Sequence, residues 1–287
     1  DLDGDLLWYE TYGGPLDEDA QWAQFTSDGG IIISGSTDSF GAGNDDVFLV
    51  KTDSQGEMQW SNTFGGGEPD LSLSVVESSS GGYIIAGQTE SYGNGNDDVY
   101  LIRVDGNGNL LWEKTFGLAQ ADAASSIVET SDGGFAFAGV LTTDEGGFDA
   151  WVVKTDAQGD SLWTQRYSAG PGWDIWDIAF SIQSTGDGGF IVAGMTGLIQ
   201  QFNVFLMKIE LGDITVEVQS DWNLVGLPLD VDDATYTTLF PESIEGTLYS
   251  FSGGYNPEIN LNHGEGYWLR FIEAGSTTIT GIPINAL

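Results

Sequence analysis

Carboxylates are the only chemically versatile side chains this sequence offers in number: 44 Asp and Glu stand beside 7 Lys and Arg, a single His and no Cys. The best placed are Asp45 and Asp46, matched by Asp97 and Asp98, each pair closing a glycine-rich loop, FGAGN or YGNGN. Hard oxygen ligands of this kind suit calcium. These four are the candidate metal ligands, and Ca2+ is the one cofactor the sequence suggests, although none is required. A competing reading assigns each aspartate to the backbone N–H groups of its own loop. The segments beginning at Asp1 and Asp105 also space their oxygens like the start of a calcium loop. Tyr12 and Phe116 then stand where its bidentate glutamate belongs, so both segments read as hairpin turns.

Other chemistries fare worse. His263 cannot by itself build a histidine triad or a multi-histidine metal site, and the lack of Cys removes thiolates and disulfides. Acid pairs are too abundant for any one to signal a glycosidase. The loop glycines precede neither a helix nor a phosphate-binding lysine. No enzyme is expected. Binding is better served: Phe40, Tyr92, Phe148, Trp173 and Trp176 fall in or beside loops, where exposed rings stack on sugar faces. They are the candidate ligand-binding residues, with a local cap on a packing interface as the alternative for the two tryptophans. A net charge of −37 repels nucleic acid and anionic membrane surfaces.

The elements that position these residues come from a repeat. DLDGDLLWYETYGG, DSQGEMQWSNTFGG, DGNGNLLWEKTFG and DAQGDSLWTQRYS begin at Asp1, Asp53, Asp105 and Asp156, a period of about 52 residues. Each is followed by a Gly-Gly turn with an apolar run, as in SSGGYIIAGQT, and by a second run, as in DDVYLIRV. The spacing predicts four short strands per unit; in the second unit these are A near Ser74 to Glu77, B over Tyr83 to Gln88, C over Asp98 to Val104 and D over Asn109 to Phe116. Trp8, Trp60, Trp112 and Trp163 recur in strand D as packing groups between units. Lys51, Arg103, Lys154 and Lys208 share one repeat position, each two residues before Asp53, Asp105, Asp156 or Glu210. Positions i and i+2 share a strand face, so a ring of ion pairs between these partners is expected.

Four-stranded meanders in tandem are the blades of a β-propeller. Residues 1 to 14 supply only a D strand, while the fourth unit ends after its C strand near Glu210. The two pieces sum to one blade, which predicts a four-bladed propeller closed by the N-terminal strand 6 to 12. Donation of that strand to a neighbouring chain, giving a homo-oligomer by strand exchange, stays open as the alternative.

The repeat, with its DGGyiiaGsT, DvyliKtD and GnllWsktfGG pattern, resembles the Gly- and Trp-rich repeats of bacterial secreted and surface β-propeller proteins over about Asp1 to Glu210. The resemblance implies an extracellular or cell-surface location and carries no reaction with it. From residue 213 the pattern gives way to ITVEVQ, WNLVGLPL, GTLYSFSGGY, GYWLRFIEAG and TTITGIPI. These predict a small β-sandwich-like module over 213–287, after a propeller over 1–212, with a helical turn in DDATYTTLFPESI. The module resembles C-terminal β-modules of secreted bacterial proteins that carry a sorting signal.

The fold class expected is all-β. The chain opens at Asp1 without a leader pattern and reads as a processed or trimmed secreted protein. Three functions remain: a structural or adhesive surface protein, assembling head-to-tail into a fibre or layer; a glycan-binding lectin; and the non-catalytic part of a larger enzyme. The partners implied are other protein subunits or cell-surface glycans, with no nucleic acid and no membrane insertion.

Overall fold

Short β-branched and aromatic runs bracketed by glycine turns leave the chain few choices but antiparallel strands, and the computed structural model is all-β. It describes every residue except 1–4, 144–146, 169–174, 199–200, 211, 227–228, 232–233, 252–254, 262–265 and 284–287. The chain divides into two compact units: Asp1–Thr185 with Phe190–Lys208, and Gly186–Gly189 with Ile209–Leu287.

In the first unit each repeat is one antiparallel meander. The first sheet is β1 (Glu18–Phe25), β2 (Ile31–Thr37), β3 (Asp46–Thr52) and β4 (Met58–Phe64). The second is β5 (Asp70–Glu77), β6 (Tyr83–Thr89), β7 (Asp98–Val104) and β8 (Leu110–Phe116). The third is β9 (Ala123–Glu129), β10 (Phe135–Thr142), β11 (Phe148–Thr155) and β12 (Ser161–Tyr167). The fourth repeat contributes β13 (Ile175–Ser184), β14 (Phe190–Leu198) and β15 (Gln201–Ile209), tied to the third by a single parallel bridge, Phe148 to Trp176. Registers repeat from sheet to sheet: Lys51 lies opposite Trp60, Arg103 opposite Trp112 and Lys154 opposite Trp163.

The core lies between consecutive sheets. Val47, Leu49 and Trp60 on one face of the first sheet pack against Val75, Tyr83 and Ile85 on the facing side of the second. Val99, Leu101 and Trp112 meet Ile127, Phe135 and Phe137 of the third in the same way. Each joint carries an equivalent ring pair, Trp60 with Tyr83 at 5.9 Å, Trp112 with Phe135 at 6.2 Å and Trp163 with Phe190 at 6.0 Å between centroids.

The N-terminal strand is where the structure departs from the sequence. Residues 5–14 form no strand, and β15 ends the strand order without them. A strand needs a hydrogen-bonded neighbour, and this segment instead follows the first sheet: Tyr12 donates its hydroxyl to the Gly56 carbonyl, and the Trp8 ring covers Gly56. No strand pairing links β15 to the first sheet among the described residues.

The second unit holds two antiparallel sheets and one helical turn. The strands are β16 (Gly212–Val218), β17 (Asp221–Gly226), β18 (Leu229–Asp230), β19 (Tyr249–Phe251), β20 (Tyr255–Pro257), β21 (Gly266–Phe271) and β22 (Gly275–Pro283). One sheet runs β16-β22-β18 and the other β17-β21-β19-β20. The turn, α1 (Tyr236–Leu239), falls inside the predicted polar segment and buries Tyr236 and Leu239 against Phe240, Leu269 and Phe271.

Candidate functional site

The aspartates that open β3 and β7 are buried, and their oxygens are held by the loops before them. Asp46 accepts N–H bonds from Ala42 at 2.8 Å and Gly43 at 3.0 Å, and Asp98 accepts one from Asn94 at 2.8 Å. Gly41 permits this wrap: it sits at φ 109°, and a side-chain carbon there would lie 2.0 Å from Asp46 Oδ2. The neighbouring acids act through other groups. Asp45 (φ 50°) and Asp97 offer their backbone carbonyls to the N–H of Asp70 and Asp122 in the next repeat, at 2.6 and 2.7 Å. Asp97 also accepts a bond from Gln88.

Two further acids, not anticipated, complete the arrangement. Asp70 opens β5 and Asp122 immediately precedes β9, and they approach Asp46 and Asp98 across a glycine. A carbon placed on Gly65 would lie 2.2 Å from Asp46 Oδ1 and 2.5 Å from Asp70 Oδ2. On Gly117 it would lie 2.0 Å from Asp98 Oδ1 and 2.8 Å from Asp122 Oδ2. Asp70 Oδ2 accepts from Gly66 and Ser91, and Asp122 from Leu118 and Thr142. Burial raises the carboxyls of both Asp98 and Asp122 above the usual range, and for Asp122 the nearby Asp98 adds to the effect. The joints at Gly65 and Gly117 thus each gather two carboxylates; among the described residues no group of three or more His, Cys, Asp or Glu is placed to hold a metal ion. The repeat spacing of Asp70 and Asp122 was visible in the sequence, but their partners lie in the preceding unit.

The aromatic candidates separate into groups. Phe148, Trp176 and Phe202 cluster, with centroids 4.7 Å apart for the first pair and 6.0 Å for the second. Phe40 packs on Phe48 and Tyr92 on Tyr100, each within its own sheet. Tyr92 also donates to the Gly65 carbonyl at 2.9 Å, bracing the joint to the preceding repeat. Trp173 and His263 lie outside the described residues.

Three of the four cation positions, Lys51, Arg103 and Lys154, are buried, with different partners from those expected, while Lys208 is exposed. Lys51 pairs with Asp28 at 3.0 Å and Lys154 with Asp132 at 2.8 Å. Asp53 and Asp156 are engaged in their own turns, accepting from Gln55 and Glu57 and from Gln158 and Asp160. The antiparallel register brings the preceding Gly-Gly turn beside the lysine instead, since Lys51 lies opposite Ile32. Hydrogen bonds from Thr26, Gly30 and Lys51 lower Asp28 to about 2. Where the second repeat has Ser80 in place of that aspartate it has Arg103 in place of lysine. The guanidinium donates to Ser80 Oγ and the carbonyls of Gly81, Tyr83 and Val104.

An unpredicted aromatic face lies in the second unit. Trp222, Tyr249, Tyr255 and Trp268 line a concavity of about 530 Å³. Trp222 and Tyr249 meet at 57°, Tyr249 and Tyr255 at 84°. Arg270, paired with Asp221 at 2.7 Å, lies 5.9 Å over the Trp222 ring. The alternation in DWNLVG and GYWLRF was the available signal, since β17 pairs with β21. No known protein-family model matches the chain, and no curated protein matches it.

Proposed function

We propose that the four repeat sheets are the blades of a four-bladed β-propeller closed by residues 6–12 as the outer strand of the fourth blade, followed by a sandwich-like module. On this reading the protein is a non-enzymatic structural or adhesive component outside the cell or on its surface. The observation that carries it is the equivalent joint between consecutive sheets, made three times with a Trp ring against a Tyr or Phe ring. Polar side chains that would elsewhere do chemistry are spent on holding loops and turns, as Asp46, Asp98 and Arg103 are. Such a scaffold presents loops rather than a reaction centre. Gold labelling of intact cells with an antibody to the chain should decorate the outer surface, and protein confined to the cell interior would overturn the proposal.

The lectin reading is favoured by one observation, the aromatic concavity lined by Trp222 and Trp268. A glycan array probed with the whole chain and with Trp222→Ala decides it. Glycan binding that the substitution abolishes would replace the structural role with recognition.

A further inference from the structure

At each inner joint the forward face of one sheet buries the rear face of the next. Val47 and Leu49 of the first sheet, and Val99 and Leu101 of the second, are at most 1% exposed. The residues at the same repeat positions in the fourth sheet are Val204 and Leu206, and they are 87% and 72% exposed. The rear face of the first sheet is open as well. Val75 and Ile127 are buried at their joints, whereas Ala23, at the same position, is exposed; Tyr83, Ile85, Phe135 and Phe137 are buried, whereas Ile31 and Ile33 are only partly so. The chain therefore carries both halves of one further joint, one at each end of the array, and covers neither.

The strand that belongs between them is also in place at one end. Trp60 covers the Gly108 turn of the following sheet and Trp112 covers Gly159; Trp8 covers Gly56 in the same manner. Residues 5–14 thus lie on the first sheet where the outer strand of a preceding unit would lie, and no strand is paired with them.

We infer that the missing neighbour is a second copy of this chain, whose β15 pairs with residues 6–12 while its Val204 and Leu206 cover Ile31 and Ile33. This rests on the proposal that residues 6–12 are the outer strand of a fourth blade, and replaces closure within one chain by closure between chains. The occupant follows from complementarity: the face that fits the rear of a repeat sheet is the forward face of another, and the single chain leaves Val204, Leu206 and Ala23 exposed. The register of the inner joints sets Trp8 opposite Lys208, as Trp60 is opposite Lys51 and Trp112 opposite Arg103. Strand addition satisfies the backbone edge of β15, which otherwise stays open to any passing strand. The contact is heterologous, so two copies close a ring or successive copies extend a chain.

The test uses the whole chain and two variants. Leu206→Asp spoils the acceptor face at a residue already exposed in the single chain. Tyr9→Pro with Glu10→Pro spoils the donor, because adjacent strand amides point to opposite sides and one of the two must face the partner. By sedimentation the unaltered chain should form dimers or longer species, each variant alone should run as a single chain, and the two variants mixed should give a one-to-one complex. A single chain at every concentration whose amides in residues 6–12 exchange slowly would overturn the inference while leaving the closing strand intact. A single chain in which those amides exchange freely would overturn both.

Discussion

The indole of Trp60 lies so close over Gly108 in the next repeat that a carbon added to the glycine would come within 2.8 Å of the ring. Asn62 fixes the contact by donating to the Gly108 carbonyl at 2.9 Å. The glycine itself stands at φ 79°, a conformation that side chains rarely adopt. One position therefore combines a turn requirement with an inter-sheet one.

Gly108→Ala should accordingly cost about 2–4 kcal/mol, combining left-handed backbone strain with displacement of the indole. Gly106→Ala, two residues away with open space around it, should change stability by less than about 0.5 kcal/mol. Urea denaturation of both variants checks the difference; equal effects would mean that the ring contact contributes nothing.

The cation sites predict a rescue. Arg103→Lys removes donors from buried carbonyls and should cost about 1–3 kcal/mol. Adding Ser80→Asp rebuilds the pairing found at Lys51 with Asp28 and at Lys154 with Asp132, so the double variant should recover most of the loss. A double-mutant cycle measures this, and strict additivity would refute the coupling.

Acid titration should show two opposed effects. Asp98 and Asp122 have carboxyls raised by burial above the ordinary aspartate value of 3.8, so the folded state binds protons more readily than the unfolded one. Their contribution is fully present below 3.8 and is lost as pH rises through their folded values. Asp28 works the other way: its contribution is present above 3.8 and lost as pH falls through about 2. Stability should therefore rise on mild acidification from neutrality and collapse only in strong acid. Asp98→Asn should flatten the first limb; an unchanged profile would remove Asp98 from the account.

Salt should raise the melting temperature, because a chain of net charge −37 repels itself and the screening length shrinks from about 8 Å at physiological ionic strength to about 3 Å at 1 M. Calcium at matched ionic strength should give the same curve as sodium, since Asp46 and Asp98 are already held by loop amides. A higher melting temperature in calcium would show that the paired acids at Gly65 and Gly117 gather the ion.

What the sequence made legible was local. The Gly-Gly turns and the DxxG turns gave the strands of every repeat, because a two-strand turn is specified by the few residues within it. The partner of Lys51 was not legible, since it depends on which turn the register carries past the lysine, and Asp53 is nearer in sequence but occupied. The pairs Asp46 with Asp70 and Asp98 with Asp122 depend on how neighbouring sheets stack. The face shared by Trp222 and Trp268 depends on a pairing between distant strands. The N-terminal segment has the composition of a strand and lacks only a neighbour, which no local pattern can supply.

In a single chain kept from assembling by Leu206→Asp, each repeat sheet packs on the sheets next to it in sequence, so removing an end sheet breaks one joint and removing an inner sheet breaks two. Opening should therefore begin at the ends and move inward, so that amide exchange slows from β1 and β15 towards β7 and β10. Limited proteolysis would follow the same gradient, trimming the outer sheets first and leaving the second and third, still clasped through Trp112 and Phe135, as the last fragment to resist.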